Sequence, residues 1–147
     1  MIVRNIADLV GTKREVTTAN WTSRRILLRS DGMGFSLHET TIVAGTETLM
    51  QYRNHVEAVF CIEGEGEVEL TDTGSRYRIE PGVVYALDRH DRHILRAATT
   101  MRLICVFNPA LQGREVHDIE GSYPLAGDNP TLRFEENTND FANIRSL

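Results

Sequence analysis

Helical periodicity is absent from any long window of the chain. Apolar positions fall instead in short runs and two-residue alternations separated by turn residues. The clearest runs lie mid-chain. Residues 57–63 (Glu57-Ala58-Val59-Phe60-Cys61-Ile62-Glu63) read as a strand running into the turn Gly64-Glu65-Gly66, and residues 67–70 alternate as the returning strand. A second unit repeats this plan with Pro81-Gly82, the apolar run 83–87, and Asp88-Arg89-His90-Asp91-Arg92-His93. Both units read as hairpins, with Asp72-Thr73-Gly74 as a turn inside the first.

Residues 2–10 form a brief apolar-patterned segment in which Asn5 caps a short helix and Gly11 ends it. Strands are predicted over 25–29, 35–43 and 48–52, with breaks at Asp31-Gly32 and Ala44-Gly45. Residues 101–107 form another, and Met101, Leu103, Cys105 and Phe107 share one of its faces because side chains alternate along a strand. Asn108-Pro109 ends it. Beyond Pro109 the pattern weakens, and Asp128-Asn129-Pro130 marks a boundary. The expected organisation is one domain over 1–130 and a polar, flexible tail over 131–147. About eight short strands with turns between them predict an all-β barrel or double-sheet jelly roll.

A chain of 147 residues is large enough for one domain with a buried core. Its 41% hydrophobic and 25% charged residues place it among soluble globular proteins. A net charge of −5 without a dense basic run argues against a nucleic-acid partner. No window is apolar enough to span a bilayer, and no secretory leader is expected from the opening residues. Cys61 and Cys105 sit inside apolar runs, which points to reduced core thiols and a cytoplasmic location.

Glu57 opens an otherwise apolar strand. A carboxylate entering a β core is costly unless paired or bound to a metal, yet a strand-end glutamate can equally face solvent. His93 heads Ile94-Leu95 after a charged turn, as a ligand or as a surface histidine like its neighbour His90. Tyr85 reads alone as a core tyrosine, Cys105 and Phe107 as core, and Glu115 with His117 as a solvated strand edge. Trp21, Arg24 and Thr40 carry no signal individually. A carboxylate, an imidazole and an open position inside a barrel would suit a divalent transition ion such as iron(II).

The two units resemble the two motifs of the cupin superfamily. Glu57, Phe60, Ile62 and Gly64 match the end of the first motif, and Pro81-Gly82 with His93 matches the second. The histidines that usually precede the glutamate are absent from Met50-Gln51-Tyr52-Arg53, so Glu57 and His93 need another partner. From Met1 to about Gly127 the chain resembles the ectoine synthase family. Met1-Ile2-Val3-Arg4, Asn20-Trp21-Thr22-Ser23-Arg24-Arg25, Tyr52-Arg53-Asn54-His55-Val56-Glu57-Ala58, Cys105-Val106-Phe107-Asn108-Pro109 and Gly121-Ser122-Tyr123-Pro124 carry that resemblance. So do Gly34-Phe35-Ser36-Leu37-His38-Glu39-Thr40, Tyr85-Ala86-Leu87-Asp88 and Glu115-Val116-His117.

The resemblance implies a cupin-type double-stranded β-helix with one or two short helices. It implies a hydro-lyase that closes N-γ-acetyl-L-2,4-diaminobutyrate into ectoine, a compatible solute made under osmotic stress. Iron(II) would be held by Glu57, Tyr85 and His93. Substrate would meet Trp21, Arg24, Thr40, Tyr52, Cys105, Phe107, Glu115 and His117, with Glu115 and His117 serving proton transfer and Arg24 the carboxylate. His55 and Asp91 match positions near the site. A head-to-tail homodimer is expected. The competing readings are an iron-dependent oxygenase on a small amino acid derivative and a non-enzymatic binding module.

Overall fold

The computed structural model of the protein describes residues 1–125. The boundary expected at residue 130 and the tail over 131–147 lie outside the described residues. Among those described, ten strands and two 3-10 turns form, and no α-helix. The first turn, Ile6–Leu9, begins where the Asn5 side-chain oxygen accepts the Ala7 N–H at 2.9 Å, which satisfies a donor the turn itself leaves free. Then follow β1 (Glu15–Thr17), β2 (Trp21–Leu27), the second turn (Arg29–Asp31), β3 (Ser36–Ile42), β4 (Glu47–Met50) and β5 (Val56–Glu63). The remainder are β6 (Gly66–Leu70), β7 (Arg76–Ile79), β8 (Val84–Leu87), β9 (His93–Ala97) and β10 (Met101–Asn108).

These strands build two antiparallel sheets, ordered β1-β2-β3-β10-β5-β8 and β4-β9-β6-β7. Strand β10 is the centre of the larger one, with Leu103 opposite Thr40 of β3 and Cys61 of β5. The expected alternation holds along it: Met101, Leu103, Cys105 and Phe107 are all buried on one face. Val59 and Cys61 from β5, Ile42 from β3, and Val68, Ile79 and Leu95 from the smaller sheet meet them in one core. Burial of each large apolar side chain contributes roughly 1.5–3 kcal/mol.

The two units expected as hairpins are not hairpins. Strands β5 and β6 belong to different sheets, as do β8 and β9. β6 pairs with β7 across the Asp72-Gly74 turn and with β9, while β5 pairs with β8 and β10. Local sequence signals a turn but not the partner, and here each turn carries the chain from one sheet to the other. Gly64 makes the first crossing with φ at +84°, and a side chain there would collide with the Thr100 carbonyl. Strand β2 starts at Trp21 and ends at Leu27, four residues earlier at its start and two at its end than expected, because β3 pairs along it from Ile42 to Leu37. β1, not anticipated, adds to its outer edge. Glu115 and His117 lie in coil, not on a strand.

The crossing makes a test of the fold. Gly64→Ala is expected to cost about 2–4 kcal/mol, from the left-handed backbone and the collision together. Chemical denaturation reads this directly, and a loss under 1 kcal/mol would show that the crossing relaxes easily.

Candidate active site

Both sheets and the coil after β10 line a pocket of about 400 Å³, a volume that includes the solvent at its open side. Trp21, Tyr52, Tyr85, Phe107 and Tyr123 give it aromatic walls, and His38, Thr40, Glu57, Cys105 and His117 add polar atoms.

Glu57 is the second residue of β5, opposite Phe107 on β10 and Leu87 on β8. Strand alternation therefore sends its carboxyl inward with Val59 and Cys61, which settles the orientation the sequence left open. It forms no ion pair among the described residues, and burial raises its pKa to about 8 against the pull of a Cys105 hydrogen bond. Tyr85 on β8 opposes Val59. Burial, then the nearby Glu57, holds its phenol well above the ordinary value.

His93 opens β9 between Met50 and Leu70 and is fully buried. Its Nδ1 lies 3.0 Å from the Asp91 carbonyl oxygen. A carbonyl only accepts, so Nδ1 carries the proton and Nε2 keeps a free lone pair. That Nε2 is buried without a hydrogen-bond partner. The His93 ring centroid lies 6.4 Å from those of both Tyr85 and Tyr52. Asp91 thus serves through its backbone. Among the described residues no three His, Cys, Asp or Glu side chains form a cluster able to hold a metal.

Tyr52 Oη and His117 Nε2 are 2.8 Å apart. Burial lowers His117 to about 4 and holds Tyr52 well above its ordinary range, so both the phenol and the imidazole are neutral. Tyr52 stacks on Tyr123 at 5.1 Å and meets Phe107 edge-on at 5.1 Å. His117 lies 5.3 Å from Trp21 and 4.6 Å from Tyr123, by ring centroids. His55 is buried behind this group, 6.3 Å from Phe107, with its Nδ1 unpartnered.

The structure does not bring Arg24 or Glu115 to the cavity wall. On β2 the inward residues are Trp21, Ser23 and Arg25, so Arg24 faces out. There it bridges Glu15 at 2.9 Å and Glu39 at 3.0 Å. Glu115 lines an adjoining crevice with His55 and Pro109. Its carboxylate accepts the Gly113 N–H at 2.7 Å and Arg25 Nη1 at 3.2 Å. Sequence reasoning passed over Arg25, Tyr123 and His38 as site residues. His38 lines the cavity with Nε2 unpartnered and Nδ1 3.3 Å from Ser23 Oγ. Its even spacing from Thr40 on β3 was a signal that could have found it.

The barrel of two sheets around a polar-studded cavity is the cupin architecture. An RmlC-like cupin from Shewanella frigidimarina matches it in fold, with a TM-score of 0.56 and 20% identity over 65% of this chain and 82% of that one. A family model described as ectoine synthase matches residues 1–127. The L-ectoine synthase of Wolinella succinogenes is 61% identical over 127 residues, covering 85% of this chain and 97% of that protein. The crystal structure of ectoine synthase from P. lautus superposes with a TM-score of 0.78 and 55% identity, covering 88% of this chain and 96% of that one. The chain belongs to the ectoine synthase family, and it is an enzyme of the hydro-lyase class.

The buried groups set a pH dependence for the metal-free protein. His38, His55, His93 and His117 are all lowered from 6.5, chiefly by burial. The unfolded chain takes up their protons first, so the stability they leave in place above pH 6.5 is lost as pH falls through 6.5 toward 4. Glu57 works oppositely: raised from 4.5 to about 8, it holds a proton that the unfolded chain releases, and stability drains as pH rises through that window. Four groups outweigh one below 6.5, and Glu57 acts alone above it. Thermal unfolding midpoints are expected to peak near pH 6.5–7. A midpoint still climbing from pH 6.5 to 5 would show that the histidines are not held neutral.

Proposed function

We propose that this cavity closes N-γ-acetyl-L-2,4-diaminobutyrate into ectoine with iron(II) held by Glu57, Tyr85 and His93. The observation that carries the reading is His93 Nε2, buried and unpartnered, with its tautomer fixed for ligation by the Asp91 carbonyl. Glu57 is likewise a buried carboxyl with no ion pair among the described residues, and Tyr85 would complete a set of two oxygens and one nitrogen. That donor set fits iron(II). Bound there, iron(II) would supply Lewis-acid polarisation of the acetamide carbonyl.

The protein's own groups do the rest. In the net change, two hydrogens leave the α-amine nitrogen, the carbon–oxygen bond breaks, and the oxygen departs with them as water. Trp21, Phe107, Tyr52 and Tyr123 wall the cavity, which excludes bulk water from a dehydration. Holding the substrate folded back on itself between these walls brings the amine to its own acetamide carbon in attacking geometry. Thr40 and Cys105 present a hydroxyl and a thiol from inward positions on β3 and β10. The Tyr52 O–H, backed by His117, meets the departing oxygen and regains its proton from the amine nitrogen. Glu115 acts from the crevice side by holding the segment that carries His117.

The same reading covers assembly and location. The outer face of the larger sheet carries Val56, Phe60 and Val84 exposed, with Phe60 opposite Val84 and Ala58 opposite Ala86. Ion pairs lie on the outer faces of both sheets, around Arg24 and Arg102 on the larger and as Arg96–Glu69 and Arg76–Glu69 on the smaller. An apolar sheet face of this kind suits a second copy, so the enzyme is a homodimer. Cys61 and Cys105 are free and buried, in keeping with a cytoplasmic enzyme that makes a compatible solute under osmotic stress. Among the described residues no helix is long and apolar enough to cross a membrane.

Anaerobic assay with and without iron(II) tests the reaction. Iron-dependent ectoine formation without oxygen uptake is expected, whereas oxygen consumption would move the assignment to an oxygenase. Glu57→Ala and His93→Ala are each expected to lose bound iron and at least 100-fold in activity. Full iron content and turnover in either variant would remove that residue from the ligand set. Phe60→Glu is expected to yield monomers in sedimentation, and an intact dimer would place the interface elsewhere.

A further inference from the structure

After β10 the chain returns across the cavity as a strap. Residues 109–125 hold no strand or helix, yet they deliver His117 and Tyr123 to the cavity wall. Both ends of the strap are tied by main-chain groups. Arg29 N–H donates to the Leu111 carbonyl at 2.8 Å, and Leu111 N–H to Ser36 Oγ at 3.1 Å. At the far end Gln51 N–H donates to the Gly121 carbonyl at 3.1 Å, and Asn54 Nδ2 to the Tyr123 carbonyl at 3.0 Å.

Between those ends, among the described residues, hydrogen bonds and ion pairs tie the strap to the barrel at three places. One is the exposed Arg53–Glu120 pair, of a kind that contributes little. The second is the neutral Tyr52–His117 bond. The third is Arg25, and it is different in kind. Arg25 is 0% exposed. Its Nη1 lies 3.2 Å from Glu115 Oε2, its Nη2 donates to the Glu115 carbonyl, and its guanidinium sits 5.8 Å over the Tyr123 ring centroid. One side chain thus grips the strap at the carboxylate and main chain of one residue and the ring of another. The gripped carboxylate also caps the N–H groups of Gln112 and Gly113, which fixes the turn leading into the strap.

We infer that Arg25 is a positioning residue that clamps the strap through Glu115, so that His117 and Tyr123 close the cavity. It touches no substrate. The inference rests on the reading of this cavity as the ring-closing site. Alternation along β2 makes the clamp possible, since Arg25 points inward from a strand whose neighbouring arginine points out. Removing either partner leaves the other as a buried, uncompensated charge, which favours an undocked strap. Substrate then binds only the docked fraction, so its apparent affinity falls by that fraction. Once bound, it holds the strap in place, and the chemical step proceeds nearly as before.

Two features of the chain report docking without reference to activity. Trp21 is the single tryptophan and lies 5.3 Å from His117, so release of the strap exposes it to water. Arg114 is exposed beside Glu115 and offers trypsin a cut within the strap.

The test uses the full chain loaded with iron(II), as wild type, Arg25→Met, Arg25→Lys, Glu115→Gln and the double variant Arg25→Met/Glu115→Gln. Arg25→Met and Glu115→Gln are expected to raise KM about tenfold or more and to change kcat by less than about threefold. Both should keep their iron, shift Trp21 emission to the red and speed cleavage after Arg114. Arg25→Lys should recover part of the KM, because it keeps the charge and loses the two-point grip. The double variant should be no worse than either single, as expected for two ends of one contact. Wild-type KM and emission in Arg25→Met, or additive losses in the double variant, overturn the clamp. If Arg25→Met does not fold, Glu115→Gln decides by the same readings, and a docked strap in it overturns the clamp. Absence of ectoine from the wild type would count against the proposed reaction, while emission and proteolysis would still decide the clamp.

Discussion

A carboxyl with no cation beside it, buried in an aromatic cavity, is the constraint on which the rest of this structure depends. Glu57 makes the cavity costly to dry out, and its pKa of about 8 is the measure of that cost. A protein that kept such a group only for packing would have replaced it with an apolar residue. His93 Nε2 is likewise buried without a hydrogen-bond partner.

Forming that cavity is what the barrel does. Glu57 comes from the larger sheet and Leu95 from the smaller one, so neither sheet alone could build the cavity they line. The crossings at Gly64 and after Leu87 carry the chain from sheet to sheet and turn consecutive segments into opposite walls. Strand β10 then locks the larger sheet from its centre, sending Cys105 and Phe107 inward between the faces of β3 and β5. The aromatic cluster of Tyr52, Phe107, His117 and Tyr123 closes one side, at ring separations of 4.6–5.5 Å.

Much of this was legible in the chain, for reasons that can be named. Strand β10 was plain because four apolar residues at period two cannot face water together. The Asn5 cap and the Gly64 turn were plain because their conformations demand those residue types. Pairing was not legible, because a turn signal is local and a sheet partner is not, and so two sheet crossings looked like hairpins. The direction of Glu57 stayed open in the pattern, and register with Phe107 and Leu87 resolved it. Tyr85, unremarkable in an apolar run, entered the site only through resemblance. His38 was overlooked because its face carries Thr40 and Ser36, and a polar stripe on a strand ordinarily signals solvent.

Arg24 and Arg25 show how far one position along a strand can decide a residue's role. They are chemically identical neighbours. Alternation sends Arg24 to the outer face, where with Glu15, Glu39, Arg102 and Glu63 it forms a chain of alternating charge across the sheet. That chain covers Glu39, which is 1% exposed although its strand face looks outward. The same alternation sends Arg25 inward, where it is fully buried and, among the described residues, its only anionic partner is Glu115. A surface arginine exchanges partners freely, since water replaces whatever it loses. A buried one cannot, and the segment it grips is therefore held with a firmness that its coil conformation alone would never supply. The irregular strap can hold His117 and Tyr123 at the cavity wall because a regular strand beneath it supplies the fixed charge.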